Sequence, residues 1–180
     1  VIQAGLHTRI KALPSVQYLA PASATDIEIG DDRACLQMQD GTKVSARLLV
    51  GADGARSWVR NTVGIAAQTT DYAQRAIVTT VKTEKHHQDT AWQRFLATGP
   101  LAFLPLSDGY SSIVWSVSSG YAEQLMALSD SAFLQALTEA SDHVLGTVLE
   151  ASPRVAIPLM ARHAERYVMP RIALIGDAAH

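Results

Sequence analysis

Two short apolar runs, each followed at once by glycine and aspartate, constrain the fold more than any other feature of this 180-residue chain. The first run, residues 48–50, leads into Gly51-Ala52-Asp53-Gly54, and the second, residues 172–175, leads into Gly176-Asp177. Apolar runs without alternation are typical of strands that are covered on both faces, and glycine before small residues is typical of a turn into a helix. The two motifs, about 120 residues apart, therefore predict two buried strands of one α/β layer.

The two motifs suggest loops that converge on one ligand at a sheet edge. Asp53 could accept a hydrogen bond from a ribose hydroxyl or orient an arginine that binds phosphate, and Gly51 and Gly54 would let a ligand approach the backbone. Free N–H groups at the start of the next helix would suit phosphate. An equally simple interpretation is a tight turn in which Asp53 only caps that helix. No Gly-x-Gly pair occurs, so the chain carries no dinucleotide fingerprint.

The first third of the chain is predicted to be mixed. Apolar spacing predicts a helix over residues 2–11, and period-two alternation predicts a three-stranded meander over 25–50 whose last strand is 46–50. Asp40-Gly41 is expected to form a two-residue hairpin loop with positive φ at both positions. A short helix is expected over residues 55–63.

Residues 74–117 are predicted to form one antiparallel sheet, because four β-rich runs and the Ser107-Asp108-Gly109 turn occur there. Two helices, predicted over residues 121–128 and 130–140, would cover one face of that sheet, with Ser129 as the N-cap of the second. The predicted fold class of the chain is therefore mixed, with this sheet and its helices as an α+β part that is joined to the α/β layer of the two motifs. Four aromatic residues either fill the core or line an apolar pocket: Trp92, Phe95, Phe103 and Trp115.

Composition and charge exclude other classes of function. Fifteen Lys and Arg against seventeen Asp and Glu, without runs of like charge, leave no broad basic face for nucleic acid. His86-His87-Gln88-Asp89 resembles a metal cluster, but neighbours on an extended segment point opposite ways, so we interpret it as a solvated loop and expect no metal site. Cys35, the single cysteine, is expected to be an inert strand residue and indicates a reducing, cytoplasmic setting.

The two motifs also resemble known flavin signatures. Gly-Ala-Asp-Gly-Ala-Arg-Ser-Trp-Val-Arg at 51–60 and Ala-Leu-Ile-Gly-Asp-Ala-Ala-His at 173–180 are similar to the second and third signatures of the single-component aromatic hydroxylases, which have the p-hydroxybenzoate hydroxylase fold. The segments at 99–106, 112–116 and 157–159 resemble those of the bacterial ubiquinone-biosynthesis hydroxylases, which act on polyprenylphenols. The resemblance covers nearly the whole chain.

The resemblance implies a set of cofactor contacts. Asp53 and Gly54 would belong to a motif that serves both FAD and NAD(P)H, and Asp177 would bind the ribityl chain of FAD with Gly176 beside it. The implied reaction is hydroxylation of an aromatic or polyprenylphenol ring by molecular oxygen, with NAD(P)H as the reductant. Association with the membrane periphery or with a ubiquinone-synthesis complex is implied as well.

The resemblance also implies a domain division. Residues 1–65 and 170–180 would belong to the FAD-binding domain, and residues 66–169 would form the substrate-binding domain, whose sheet walls the pocket over the flavin ring. The family's N-terminal Gly-x-Gly-x-x-Gly strand and helix are absent from the sequence, so we expect an internal fragment that binds FAD poorly and is inactive alone.

A rival hypothesis comes from a different class of function. In it, the mostly antiparallel sheet of a non-catalytic module wraps an apolar small molecule or a lipid. Asp53 and Asp177 are then only helix caps. An upstream Gly-x-Gly-x-x-Gly after an apolar strand in the parent reading frame would favour the enzyme.

Overall fold

Two compact units make up the chain in the computed structural model, which describes residues 2–180. The first unit runs up to Gln68 and resumes over Arg162–His180, and the second unit is Thr69–Ala161. Each unit encloses an apolar core of its own. Within residues 2–180, no helix has the length and apolar content needed to cross a bilayer.

The first unit begins with the predicted helix and meander. Helix α1, Ile2–Lys11, has no buried residue. The meander is an antiparallel sheet of three strands, β1 (Ala24–Ile29), β2 (Ala34–Met38) and β3 (Lys43–Ala46). The prediction of a meander in this part of the chain is therefore confirmed.

Residues 46–50 do not form the last strand of the meander, so that prediction is wrong. The chain leaves the meander after Ala46, and β4, Leu49–Gly51, joins a second sheet in the order β11 (Val168–Met169), β12 (Ile172–Leu174), β4. β4 pairs in parallel with β12. Three consecutive apolar residues indicate a strand but not its partner, which is set by a pairing distant in sequence.

The Asp40-Gly41 turn also differs from the prediction. Gly41 alone in this turn has a positive φ, 86°. The N–H of Met38 donates to the carbonyl of Thr42 at 2.9 Å, which makes the loop three residues long. A three-residue loop needs only one left-handed residue, so Asp40 avoids the steric cost of a positive φ.

Helix α2 is shorter than the predicted 55–63 and spans Trp58–Thr62. It begins late because the hydroxyl of Ser57 accepts the N–H of Arg60 at 2.9 Å and so acts as its N-cap. Gly64, with φ 71°, follows the C-cap and ends the helix.

A six-stranded sheet dominates the second unit. Its strands are β5 (Ala67–Thr83), β6 (Trp92–Leu96), β7 (Gly99–Pro105), β8 (Ser111–Ser118), β9 (Val148–Ala151) and β10 (Val155–Ala164). The order is β10-β5-β8-β7-β6, with β9 also on β5, and the pairs β5–β8, β8–β7 and β7–β6 are antiparallel. The single antiparallel sheet predicted over 74–117 is therefore confirmed.

Two helices cover one face of this sheet. They are α3, Ser119–Ala127, and α4, Asp130–Ala140, and the hydroxyl of Ser129 accepts the N–H of Ala132 as the predicted N-cap of α4. The core between helices and sheet contains Ile77, Leu101, Phe103, Ile113, Trp115, Phe133 and Leu137. The four aromatic residues therefore divide. Phe103 and Trp115 fill the core, Trp92 packs against it, and Phe95 is 80% exposed.

The expectation of a solvated loop at residues 86–89 is wrong for His87, whose side chain is 1% exposed. Its Nδ1 accepts the N–H of Asp89 at 3.0 Å, so Nε2 carries the proton and donates to the carbonyl of Leu106 at 3.1 Å. Both ring nitrogens are satisfied by the backbone, which explains the burial. Among residues 2–180, no group of three or more His, Cys, Asp or Glu side chains could hold a metal ion.

Candidate functional site

The two glycine–aspartate motifs leave the same edge of the first unit's parallel strand pair. Leu174 at the end of β12 lies opposite Gly51 at the end of β4, and the N–H of Ile175 donates to the carbonyl of Gly51 at 3.0 Å. The carboxyl ends of both strands therefore lie side by side, as expected from the sequence. Ligands of open α/β sheets bind at such an edge.

Asp53 is a helix cap in this structure. Its Oδ2 accepts the N–H of Val59 at 3.0 Å, in the first turn of α2. Ser57 accepts the next N–H, that of Arg60. Two of the helix N–H groups that the sequence suggested for phosphate are therefore already used, and the place is occupied by a carboxylate.

The charge of Asp53 is stabilised by the same contacts. Partial burial is the largest single influence and raises the pKa of the carboxyl. Hydrogen bonds from the Ser57 hydroxyl and from the backbone N–H groups of Val59, Asp53 and Trp58 together outweigh it and lower the pKa of Asp53 below its ordinary value. Asp53 is therefore an anion at neutral pH, in the position where the partial positive charge of a helix N-terminus favours one.

The glycines of the two motifs have different roles. A Cβ on Gly51 would lie 2.8 Å from Cδ2 of Leu174 and 3.0 Å from Cβ of Val59, so Gly51 permits close packing of α2 on the strands. The expectation that Gly51 admits a ligand is therefore wrong. Gly54 (φ 83°) and Gly176 (φ 56°) have left-handed backbones, and a Cβ on either would meet no atom within 4 Å. Open space next to these two glycines leaves room for a bound group.

Arg60 ties the two motifs together. It is 4% exposed, and its guanidinium donates through Nη1 to the carbonyl of Ala178 at 2.9 Å and through Nη2 to the carbonyl of Ala55 at 3.0 Å. The first carbonyl belongs to the turn after β12 and the second to the loop after β4. Arg162 also donates to the carbonyl of Ala55. The relative position of the two loops is therefore fixed by charge-assisted hydrogen bonds, of which the one from Arg60 to Ala178 is buried.

The turn after β12 is built differently from the start of α2. Gly176–Ala178 form one turn of 3-10 helix, and no side chain caps it. Asp177 is exposed in this turn. The structure thus supports the helix-cap interpretation for Asp53 but shows no such cap from Asp177.

An aromatic cluster lies beside the second motif, and the sequence did not reveal it. Nδ1 of His163 is 3.0 Å from the hydroxyl of Tyr167, and the His163 ring is stacked at 6.2 Å on that of His180. Arg60 was missed as well. The only sign in the sequence that Arg60 is buried is its place between Val59 and Val63, on the apolar side of a short helix.

The second unit offers an apolar surface on the sheet face that the helices leave uncovered. Val78, Val114 and Ala102 lie opposite one another across β5, β8 and β7, and all three are half-buried. Leu104 is 43% exposed, and Phe95 lies on the edge strand of the same face. Small and apolar side chains in this pattern make a smooth wall suited to an apolar molecule.

A family model described as "FAD binding domain" matches residues 28–180 of the chain. Ubiquinone hydroxylase UbiL of Rhodospirillum rubrum is 41% identical over 180 residues, covering all of this chain and 42% of that protein. The 3-demethoxyubiquinol 3-hydroxylase of Escherichia coli is 38% identical over 182 residues, covering all of this chain and 46% of that protein. The chain thus spans less than half the length of these curated relatives.

Solved structures show the same fold. PqsL of Pseudomonas aeruginosa, described as a probable FAD-dependent monooxygenase, superposes with a TM-score of 0.79 at 23% identity, over 99% of this chain and 52% of that one. A salicylate hydroxylase in a substrate complex gives a TM-score of 0.71 at 20% identity, over 99% of this chain and 50% of that one. The p-hydroxybenzoate hydroxylase fold predicted from the two motifs is confirmed.

Proposed function

The chain belongs to the FAD binding domain family, and on this premise we propose that it functions as a flavin-dependent monooxygenase that hydroxylates a polyprenylphenol ring in ubiquinone biosynthesis. The observation that carries the proposal is the junction of β4 and β12. Two loops from distant parts of the chain meet there at the carboxyl ends of two paired strands, and hydrogen bonds from the buried Arg60 hold both loops in place.

The residues proposed to hold FAD are Asp53, Gly54, Gly176 and Asp177. The open space next to the two glycines fits a bound group. The uncapped turn that contains Gly176 and Asp177 suits oxygen atoms that accept hydrogen bonds, and the Asp177 carboxylate suits a hydroxyl of the ribityl chain. Asp53 is an anion, so it suits a hydroxyl donor of FAD or of NAD(P)H.

FAD, when bound and reduced by NAD(P)H, would supply the oxygen chemistry with molecular oxygen as co-substrate. The chain's own contribution is to bind the cofactor and the substrate, to orient them, and to exclude water from the site. In this proposal the first unit is part of the FAD-binding domain and the second unit is the substrate-binding domain. The exact domain boundaries, between residues 65 and 66 and between residues 169 and 170, remain predictions from the sequence.

The substrate is proposed to lie against the uncovered sheet face of the second unit. Val78, Ala102 and Val114 present apolar surface without charge, which suits a phenol that carries a prenyl chain. A cytoplasmic location at the periphery of the inner membrane, or within a ubiquinone-synthesis complex, belongs to the same proposal, because a polyprenylphenol partitions into the bilayer.

Titration of FAD into the purified, intact parent protein tests the proposal, because the chain alone is expected to bind FAD poorly. Replacement Asp177→Ala removes an ionised acceptor whose hydrogen bond is worth about 1.5–3 kcal/mol, so we expect a roughly ten- to hundredfold loss of FAD affinity. Asp32→Ala, an exposed aspartate of the same unit, and Cys35→Ser are the controls, and both should bind FAD like the wild type.

Two results would count against the proposal. Equal dissociation constants for wild type and Asp177→Ala would remove Asp177 from the cofactor site. An intact parent protein that binds apolar ligands but no FAD at any concentration would instead support the non-catalytic module. Flavin absorbance of the purified full-length protein gives the same distinction without any substitution.

A further inference from the structure

A cavity of about 350 Å³ lies in the second unit beside the edge strand β6. Leu101 and Phe103, two of its walls, belong to the sheet face that α3 and α4 cover. The wall proposed for the substrate is the opposite face of the same sheet. The cavity is therefore separate from the proposed substrate site.

The walls of the cavity suit an aromatic ring. Trp92, Leu101, Phe103 and Val144 form its apolar part, and Arg94 and Asp142 stand among the polar groups at its rim. Its volume is at the lower end of the range of about 300–1,000 Å³ found for small-molecule sites. Such a site takes a molecule of one or two rings.

The two charged side chains at the rim of the cavity disfavour a charged ligand. Nη1 of Arg94 donates to the carbonyl of Ala140 at 3.0 Å, at the C-terminus of α4, and Nη2 lies 3.6 Å from Oδ2 of Asp142. The second distance exceeds the roughly 2.7–2.9 Å of a charge-assisted hydrogen bond. A carboxylate ligand would meet Asp142 and the negative end of the helix, and a cationic ligand would meet Arg94.

A hydroxyl group satisfies both rim charges. It can accept a hydrogen bond from Arg94 and donate one to Asp142, because a hydroxyl has one donor and two acceptor sites. Nη2 of Arg94 and Oδ2 of Asp142 form an ion pair at 3.6 Å, and a hydroxyl on the cavity side can bridge them at about 2.8 Å from each atom.

The backbone at the rim is strained in a way that accompanies binding sites. Asp142 and His143 are consecutive non-glycine residues with left-handed φ angles of 57° and 54°. Left-handed conformations of such residues cost free energy and occur often at ligand clamps. Here they point the segment that follows α4 toward the cavity wall, because Asp142 and Val144 both line it.

We propose that this cavity binds a small neutral aromatic alcohol of the phenol class, with the ring against Trp92 and Val144 and the hydroxyl bridging Arg94 and Asp142. The site is additional to the cofactor and substrate sites proposed above. Its existence does not depend on them.

The test compares 2-naphthol with 2-methoxynaphthalene by isothermal titration calorimetry of the purified protein. The methyl ether can accept a hydrogen bond but cannot donate one to Asp142. We expect the naphthol to bind at least tenfold more tightly to the wild type, since a hydrogen bond to a charged group changes affinity by about that factor or more. 2-Naphthoate should bind more weakly than the naphthol.

The decisive variant is Asp142→Gly, which removes the acceptor while glycine tolerates the left-handed φ. In it the naphthol should lose its advantage over the ether, and naphthoate should bind better than it does to the wild type. Asp89→Gly is the matched control, because Asp89 is also left-handed (φ 52°) and exposed, but does not line the cavity. This variant should keep the wild-type preference.

Two outcomes would overturn the proposal. One is equal affinity of the wild type for the naphthol and its methyl ether. The other is a hydroxyl preference that survives in Asp142→Gly, because the probe would then be bound elsewhere, including the uncovered sheet face. FAD titrations on Asp177→Ala are independent of both outcomes.

Discussion

Replacing Asp53 by alanine removes one of the two side chains that cap α2, while the N-cap Ser57 remains, and the structure sets the size of the effect. The carboxylate accepts the Val59 N–H at 3.0 Å and the Ser57 hydroxyl, so two donors lose their partner. Because Asp53 is exposed, water replaces part of what is lost. We expect a loss of about 1–2 kcal/mol in the free energy of unfolding, the upper half of the range for N-cap replacements. For a protein of this size that lowers Tm by roughly 2–8 °C.

The same cap makes stability depend on pH. The pKa of Asp53 is lower in the folded protein than its ordinary value of 3.8, so the unfolded chain binds this proton more readily. The stabilisation is therefore present above pH 3.8 and is lost as the pH falls through the folded-state pKa. Asp53→Asn keeps an acceptor oxygen for Val59 but has no charge to titrate.

Thermal unfolding followed by tryptophan fluorescence, at pH 7 and at pH 3, measures both effects. Asp53→Ala should melt at a lower temperature than the wild type at pH 7. The stability advantage of the wild type over Asp53→Asn should shrink on going to pH 3. An alanine variant that melts like the wild type at pH 7, or an aspartate–asparagine difference that is the same at both pH values, would refute the capping role.

Three glycines other than Gly54 and Gly176 provide further tests. In Gly51→Ala the new Cβ would lie 2.8 Å from Leu174, and we expect a cost of about 1–3 kcal/mol, measured as a drop in Tm. In Gly99→Ala the Cβ would lie 2.0 Å from the backbone oxygen of Ser116, with φ at 127°, so we expect a loss above about 4 kcal/mol and little soluble protein. Gly120→Ala, in helix α3 with no atom within 4 Å, should unfold at or above the wild-type temperature.

The sequence predicted those parts of the fold that depend on local patterns. Period-two alternation and turn residues predicted the antiparallel sheet of the second unit, and the serine before an amphipathic stretch predicted the start of α4 at Asp130. The predictions over 46–50 and 55–63 were wrong at their limits. A run of apolar residues does not say which sheet it joins, and the side chain of Ser57 decided where α2 begins.

The candidate site could be predicted only in part for the same reason. Glycine and aspartate after an apolar run are visible locally, but the carbonyl that Arg60 binds belongs to a residue 118 positions away. The prediction that His87 is solvated was wrong because its burial depends on a hydrogen bond to the carbonyl of Leu106, which lies in the loop between β7 and β8. Contacts of this kind follow from strand order, which the sequence pattern did not determine.

The charge of Asp53 restricts how a cofactor can occupy the proposed site. A phosphate placed 4 Å from this carboxylate would cost about 4 kcal/mol at an effective dielectric constant of 20. The N-terminus of α2 is therefore a poor position for a pyrophosphate, although it resembles a phosphate-binding helix in sequence. The turn at Gly176–Ala178 has no side-chain cap, but it carries the carboxylate of Asp177, so a phosphate at the same distance from that carboxylate meets the same penalty. We therefore expect hydroxyl donors of the cofactor near both Asp53 and Asp177.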